Sequence, residues 1–457
     1  MDRSLLDFYR TPADAFGSST GTADHETSES GFFQFGLGNI CYGRCQVGVA
    51  ATVAESGQFN ALKCIQPGGA TIQLPFSFSE VIENLRRERY RGGVVPGSNL
   101  LIESKGLTKF YYLIRDQLPV SFRRKLQRIY FSDWRSLKFP AWPVDFTVDA
   151  LHEEFLRLLM ETSGSLRVPF VWFWPEGASN CLILTHDVET SAGRDFTSEL
   201  MDLDHSFGFK ASFQVIPEKR YEVPETYVQE IRSRGFEFNI HDLNHDGQLY
   251  LRHEEFVRRA ARINSYARKY GSRGFRAGSM YRNQEWYEAF EFSYDMSVPN
   301  VAHLEPMRGG CCTVMPYFIG EILELPLTTS GDYSLFHILS EYSIDLWKQQ
   351  LALIRRKHGL MSVLVHPDYL LEQRARKTYE SMLDYLREMV ARESTWVALP
   401  GDVDRWWRAR SQMRVVSKGN EWEIVGPEKN RARLAYATLE DGRLVYDLAT
   451  PRERAIL

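Results

Sequence analysis

Four short stretches of this 457-residue chain end apolar runs with side chains able to do chemistry. The first is Leu182-Ile183-Leu184-Thr185-His186-Asp187-Val188-Glu189. On a strand alternate residues share a face, so Thr185, Asp187 and Glu189 project together. Two carboxylates that close repel each other unless a cation or a proton lies between them. One can then ligate a metal while its neighbour acts as a base, although solvated carboxylates at a strand end fit the same pattern. The second stretch runs from Phe236 to Gly247 and carries His241 and His245. Two His four residues apart converge on one point if the segment between them makes a helical turn. Imidazoles so placed suit Zn2+ or a similar first-row ion, with a carboxylate as third ligand. A chance H-x-x-x-H is the competing reading. The third is Gly274-Phe275-Arg276-Ala277-Gly278, where Arg276 is either a surface residue or a bidentate partner that keeps a carboxylate ionised. The fourth is Met361 to Asp368. There His366 ends a wholly apolar run, as a general acid or as a core His bonded to backbone.

These stretches need elements to hold them. From Val168 onward short apolar runs alternate with amphipathic ones: Leu182–Leu184, Ala211–Ile216, Phe236–Ile240, Ile322–Leu325, Ser362–Val365 and Trp396–Leu399. Helical patterns lie between them, at about 197–207, 225–234, 254–270, 344–358 and 378–393. Such alternation predicts a parallel sheet wound by helices, and roughly 235 residues suit a barrel. Catalytic groups in such folds gather at the C-terminal ends of the strands, where all four stretches end.

The remainder divides by composition. Residues from about Thr11 to Gly31 are rich in Ser, Thr, Gly, Asp and Glu, and residues 1–31 are expected to form a disordered arm. Residues 32–167 read as a mixed α/β accessory domain of unknown role. It has a strand at Ile72–Phe78 and helices at Phe78–Arg91, Leu107–Leu118 and Val148–Thr162. Arg123, Arg124, Lys125 and Arg128 form a basic cluster that reads as a solvated helix face. Residues 168–413 are the expected barrel. Residues 414–457, with strands at Trp422–Val425, Ala432–Ala437 and Leu444–Tyr446, form a small β appendage. A net charge of -4 argues against a general nucleic-acid binder. Six Cys in so long a chain make no disulfide scaffold, and the adjacent Cys311 and Cys312 read as packing residues. With neither a signal peptide nor an apolar stretch of about 20 residues, a cytoplasmic protein without a membrane span is expected.

A strand-end Asp motif, then His-x-x-x-His, then an Arg motif, then a strand-end His, in that order, resembles the polysaccharide deacetylases with NodB homology. The resemblance covers Leu182 to Leu399. It implies a distorted (β/α) barrel and hydrolysis of N-acetyl or O-acetyl groups on sugars, N-acetyl being preferred. Carried over, the catalytic base is Asp187, the base-orienting residue Arg276 and the general acid His366. The metal histidines are His241 and His245, with Glu189 as carboxylate ligand and zinc as the expected ion. The family's second Asp is Val188 here, which moves the ligand to Glu189. The Ser or Thr after the first metal His is Asp242, and the Pro of the Arg motif is Gly278. Asp295 and Asp332 are the candidates for orienting His366. Backbone N–H groups near Ser279 are expected to stabilise the oxyanion. Tyr281, Trp286 and Tyr369 are candidates for a sugar platform or for core packing. The expected partner is an acetylated sugar, oligosaccharide or polysaccharide precursor. Two other functions fit the same sequence: hydrolysis of another C–N bond, such as a cyclic amide or ureide, and carbohydrate binding without catalysis.

Overall fold

The computed structural model describes residues 2–12, 20–22, 29–36, 38–53, 59–68, 71–92, 126, 128–419 and 421–449. The expected helix Leu107–Leu118, the cluster residues Arg123, Arg124 and Lys125, and residues 13–19 and 23–28 of the expected arm lie outside them. The chain forms two compact units. One contains residues 97–145 and 180–404, the other residues 1–96, 146–179 and 405–457. The boundary expected at residue 168 therefore falls inside the second of these.

The unit that carries the four stretches is a distorted (β/α) barrel whose mostly parallel sheet curls without closing. Its strands in chain order are β1 (Asn180–Val188), β2 (Ser212–Val215), β3 (Glu237–His241), β4 (Gly274–Arg276), β5 (Tyr294–Asp295), β6 (Tyr317–Ile319), β7 (Ile322–Glu324), β8 (Leu360–Val365) and β9 (Thr395–Val397). They lie in the order β6-β7-β5-β4-β3-β2-β1-β8. Only β6 with β7 is antiparallel, an edge hairpin that the apolar-run pattern did not predict. β1 is the hub. It pairs with β8 from Cys181 to His186, with β9 from Asn180 to Leu182 and with β2 from Thr185 to Val188. All nine of its residues are buried, as expected of a strand covered on both faces.

Helices α1 (Ser191–Ser206), α2 (Glu225–Ser233), α3 (His253–Tyr270), α4 (Asp345–Arg355), α5 (Pro367–Leu370) and α6 (Gln373–Arg392) connect these strands. Their ends follow local chemistry. The Thr190 side chain accepts from Gly193 N to cap α1. Helix α3 opens with Glu254 and Glu255, closes with Arg268 and Lys269, and stops at Gly271 in the left-handed conformation.

The other unit is built from separated parts of the chain. The strand Arg167–Val171 pairs with Leu434–Glu440, which also pairs with Arg443–Leu448, all antiparallel. Helices Arg3–Tyr9, Phe78–Arg86 and Thr147–Ser163 belong to the same unit. Its core is aromatic: Phe8, Tyr9, Phe170 and Phe173 are buried and in ring contact. No disulfide forms among the described residues, and of the six cysteines only Cys64 is exposed.

Candidate metal centre

The four stretches converge. Asp187 lies near the end of β1 with Glu189 just beyond it; His241 ends β3, Arg276 ends β4 and His366 follows β8. In register Arg276 stands beside His241, and Val365 beside His186. The parallel sheet thus gathers onto one rim residues scattered over 180 positions of sequence.

Arg276 is fully buried. Its Nη1 donates to Asp187 Oδ1 and to Thr185 Oγ1, both at 2.9 Å, and its Nε donates to Met296 O at 3.0 Å. One guanidinium spanning Thr185 and Asp187 bears out their common face on β1. The expected bidentate grip is corrected, because Nε is committed to Met296 and only one N–H reaches the carboxylate. Burial alone would raise the Asp187 carboxyl, but Arg276, His241 and His366 outweigh it and hold it below its ordinary value.

His241 and His245 do converge, though not through a helical turn. The segment after β3 is irregular, and both Asp242 (φ +55°) and His245 (φ +54°) are left-handed, which swings the second imidazole back beside the first. The rings lie 4.9 Å apart. His241 Nδ1 is 3.1 Å from Arg276 O. A carbonyl can only accept, so Nδ1 carries the proton and Nε2 presents its lone pair. Burial and the neighbouring His245 lower the pKa of His241, keeping it neutral as a ligand must be.

Glu189 completes the group. Ligand atoms of Glu189, His241 and His245 all lie within 4.8 Å of one another. His245 Nε2 is 2.9 Å from Glu189 Oε1, and the buried His241 Nε2 has no hydrogen-bond partner among the described residues. An orphaned imidazole nitrogen on His241, a second imidazole nitrogen and a carboxylate, all close together, form the donor set of a three-ligand cation site. The residues fit a metal ion. Glu189 is 25% exposed where His245 is 5%, so the carboxylate side is open to solvent. Burial would raise Glu189, but His245, His366 and His241 draw it well below the ordinary range.

Asp332, rather than Asp295, orients His366. It accepts from His366 Nδ1 at 2.6 Å and from the His366 backbone N at 2.7 Å. Asp295 instead accepts from the Tyr287 hydroxyl and from Ser297. Burial would lower His366, but Asp332 first, then Glu189 and Asp187, push it up to about 10. With Nδ1 held by Asp332, Nε2 points inward, 3.6 Å from Glu189 Oε1.

Asp368 and Gly193 carried no signal in the sequence. Asp368 accepts from the backbone N of Glu189 at 3.1 Å and from the Thr190 hydroxyl. A Cβ on Gly193 would stand 2.4 Å from Asp368 Oδ2, so only glycine admits the carboxylate there. Gly278 has a similar role. A Cβ there would meet Asp242 Oδ2 at 2.6 Å and His245 Cδ2 at 2.9 Å. The side chains of Asp242 and His245 fill space that position 278 must leave free. Ser279 is left-handed at φ +54°. Of the aromatic candidates, Tyr369 packs on His366 with ring centroids 4.8 Å apart, while Trp286 joins Phe256 and His253. Tyr281 is partly buried.

No protein-family model and no curated protein matches the sequence. Solved structures do. A chain from Mycobacterium smegmatis named as a candidate polysaccharide deacetylase is similar at 17% identity and TM-score 0.43, over 55% of this chain and 98% of that one. The Puue allantoinase is similar at 11% identity and TM-score 0.41, over 51% and 92%. A Bacillus anthracis pseudoenzyme of the CE4 family is similar at 15% identity and TM-score 0.31, over 49% and 65%. At these identities and scores none of the three fixes an activity. No helix among the described residues is long and apolar enough to cross a membrane.

Proposed function

We propose that this chain is a metal-dependent deacetylase that hydrolyses an N-acetyl group on a sugar, oligosaccharide or polysaccharide precursor. The observation that carries the reading is the meeting of three groups on one rim: the Glu189–His241–His245 donor set, the Asp187–Arg276 pair and the His366–Asp332 pair. A divalent cation, zinc being the first candidate, supplies Lewis acidity for an acetyl carbonyl and lowers the pKa of water. Asp187, kept ionised by Arg276, takes the proton of the attacking water. His366 Nε2 gives its proton to the leaving nitrogen, and Asp332 stabilises the imidazolium until it does. The products are acetate and a free amine. A carbohydrate-binding protein without catalysis has no use for a carboxylate-paired imidazolium beside a metal donor set.

Metal analysis of purified protein with an acetate-release screen over acetylated amino sugars tests the reading. Acetate release that a chelator stops and Zn2+ restores is expected; ammonia or a ring-opened product from a cyclic amide would transfer the site to another C–N bond. Two variants then divide the carboxylates. Asp187→Asn keeps the metal and loses about 10²–10⁴-fold in rate. Glu189→Gln weakens metal binding and is partly rescued by excess metal. The opposite pattern would exchange the two roles.

A further inference from the structure

The ligand segments meet a short stretch that the proposed chemistry does not use. Residues 218–221 follow β2 and turn at Lys219, which is left-handed with φ +67°. The Tyr221 hydroxyl donates to Val188 O at 2.5 Å and accepts from Ile216 N at 3.0 Å. Val188 lies between Asp187 and Glu189, so Tyr221 fixes the peptide that joins the proposed base to the carboxylate ligand. The neighbouring side chain reaches the other ligand segment. Arg220 Nη2 donates to His245 O at 2.7 Å and its Nε to Asn244 O at 3.3 Å. The Glu218 N–H donates to Leu243 O at 3.1 Å. Two sequence-adjacent side chains thus hold the two segments that supply Glu189 and His245, and they touch no ligand atom.

This arrangement answers a physical problem. Glu189 lies beyond its strand, and His245 sits in an irregular loop in a conformation that non-glycine residues seldom adopt. Without outside support both would sample positions that do not converge, and a metal ion would have to order them on binding. Tyr221 is well suited to prevent that. Burial pushes its hydroxyl well above the usual tyrosine range, so it remains a neutral donor. We propose that Tyr221, assisted by Arg220, is a positioning residue that preorganises Glu189 and His245 for the cation. The proposal rests on the metal-site reading above. Tyr221 has the larger part, since Arg220 is exposed and water can replace its hydrogen bonds.

The test uses full-length protein stripped with a chelator and titrated calorimetrically with Zn2+, alongside thermal melts with and without Zn2+. Tyr221→Phe is expected to weaken Zn2+ binding about 10–100-fold, as loss of residues supporting a metal ligand commonly does. Arg220→Met weakens it several-fold, and Arg220→Lys recovers part of that by reaching one carbonyl. Metal-free melting temperatures should stay within a few degrees of the parent, while the rise on adding Zn2+ shrinks. An unchanged Zn2+ affinity in Tyr221→Phe overturns the proposal. So does a melting temperature that falls equally with and without metal, since that places Tyr221 in the fold alone. Acetate release is measured separately. Weakened Zn2+ binding in the variants, with no acetate released by the parent, keeps the positioning role and removes the deacetylase. Unchanged affinity with acetate released does the reverse.

Discussion

Each of the two units buries a histidine completely enough to shift its protonation, and the shifts run in opposite directions. His152, in the unit with the aromatic core, is pushed down to about 3, by burial first and then by Arg86. Its ring stacks on Phe8, Nδ1 meets Val148 O at 2.7 Å, and Nε2 meets the Ser4 hydroxyl at 3.0 Å. His366, in the barrel, goes up to about 10 because Asp332 holds it. Two arginines repeat the contrast. Arg276 faces Asp187, whereas Arg410 donates to the carbonyls of Phe8, Val171 and Trp172, and burial, followed by Arg10, lowers it to about 9. Backbone carbonyls satisfy donors without compensating a charge; a carboxylate does both. Burial therefore does not distinguish a working residue from a structural one. The partner does.

The largest expected effect tests the working side of this contrast. His366→Phe should lower acetate release about 10²–10⁴-fold while metal content, measured by elemental analysis, persists. Arg276→Met should lower the free energy of unfolding by about 3–5 kcal/mol in denaturant titration, because it leaves Asp187 buried without its cation. Arg410→Met should cost about 2–3 kcal/mol, from carbonyls left without donors, with kcat of the folded protein unchanged. A fall in kcat there would break the distinction. The smallest effect is linked to pH. His152 has a folded value of about 3 against an ordinary 6.5, so the unfolded chain binds the proton first. Its contribution is complete above pH 6.5 and declines as pH falls toward 3, by roughly 2 kcal/mol between pH 7 and pH 5. His152→Phe should flatten that part of the stability profile. An unchanged slope would mean that His152 is not neutral in the folded state.

The rim was legible because strand-end position is a local property. Asp187, His241, Arg276 and His366 each close an apolar run, and a parallel sheet must bring such ends together. How the side chains reach one another was less visible. The return of His245 depends on left-handed backbone at Asp242 and His245, which neither residue type announces. The single hydrogen bond from Arg276 to Asp187 depends on Met296 O taking the Arg276 Nε, and that carbonyl belongs to another strand connection. Asp332 and Asp295 were indistinguishable because the two-residue strand that holds Asp295 and the connection that holds Asp332 are both placed by tertiary packing. The short edge strand Tyr317–Ile319 gave too little periodicity to read. Nor could the pairing of Arg167–Val171 with Leu434–Glu440 be foreseen, since an alternating pattern shows which face a strand buries but not its neighbour.

That last pairing has a consequence for the order in which the molecule can be completed. Tyr9 and Tyr446 share a hydrogen bond of 2.7 Å although 437 positions separate them, and Arg410 reaches the carbonyl of Phe8 across 402. During synthesis the strands of the barrel are all available once β9 has emerged. The aromatic unit must wait for Leu434–Glu440, with Arg167–Val171 lacking that neighbour in the interval. Loop closure over such distances adds little to the equilibrium cost, since the penalty grows only logarithmically with length, but contacts this remote in sequence form slowly. A nascent chain stopped before Leu434 therefore carries every proposed catalytic residue and still leaves the edge of Arg167–Val171 open to whatever strand it meets first.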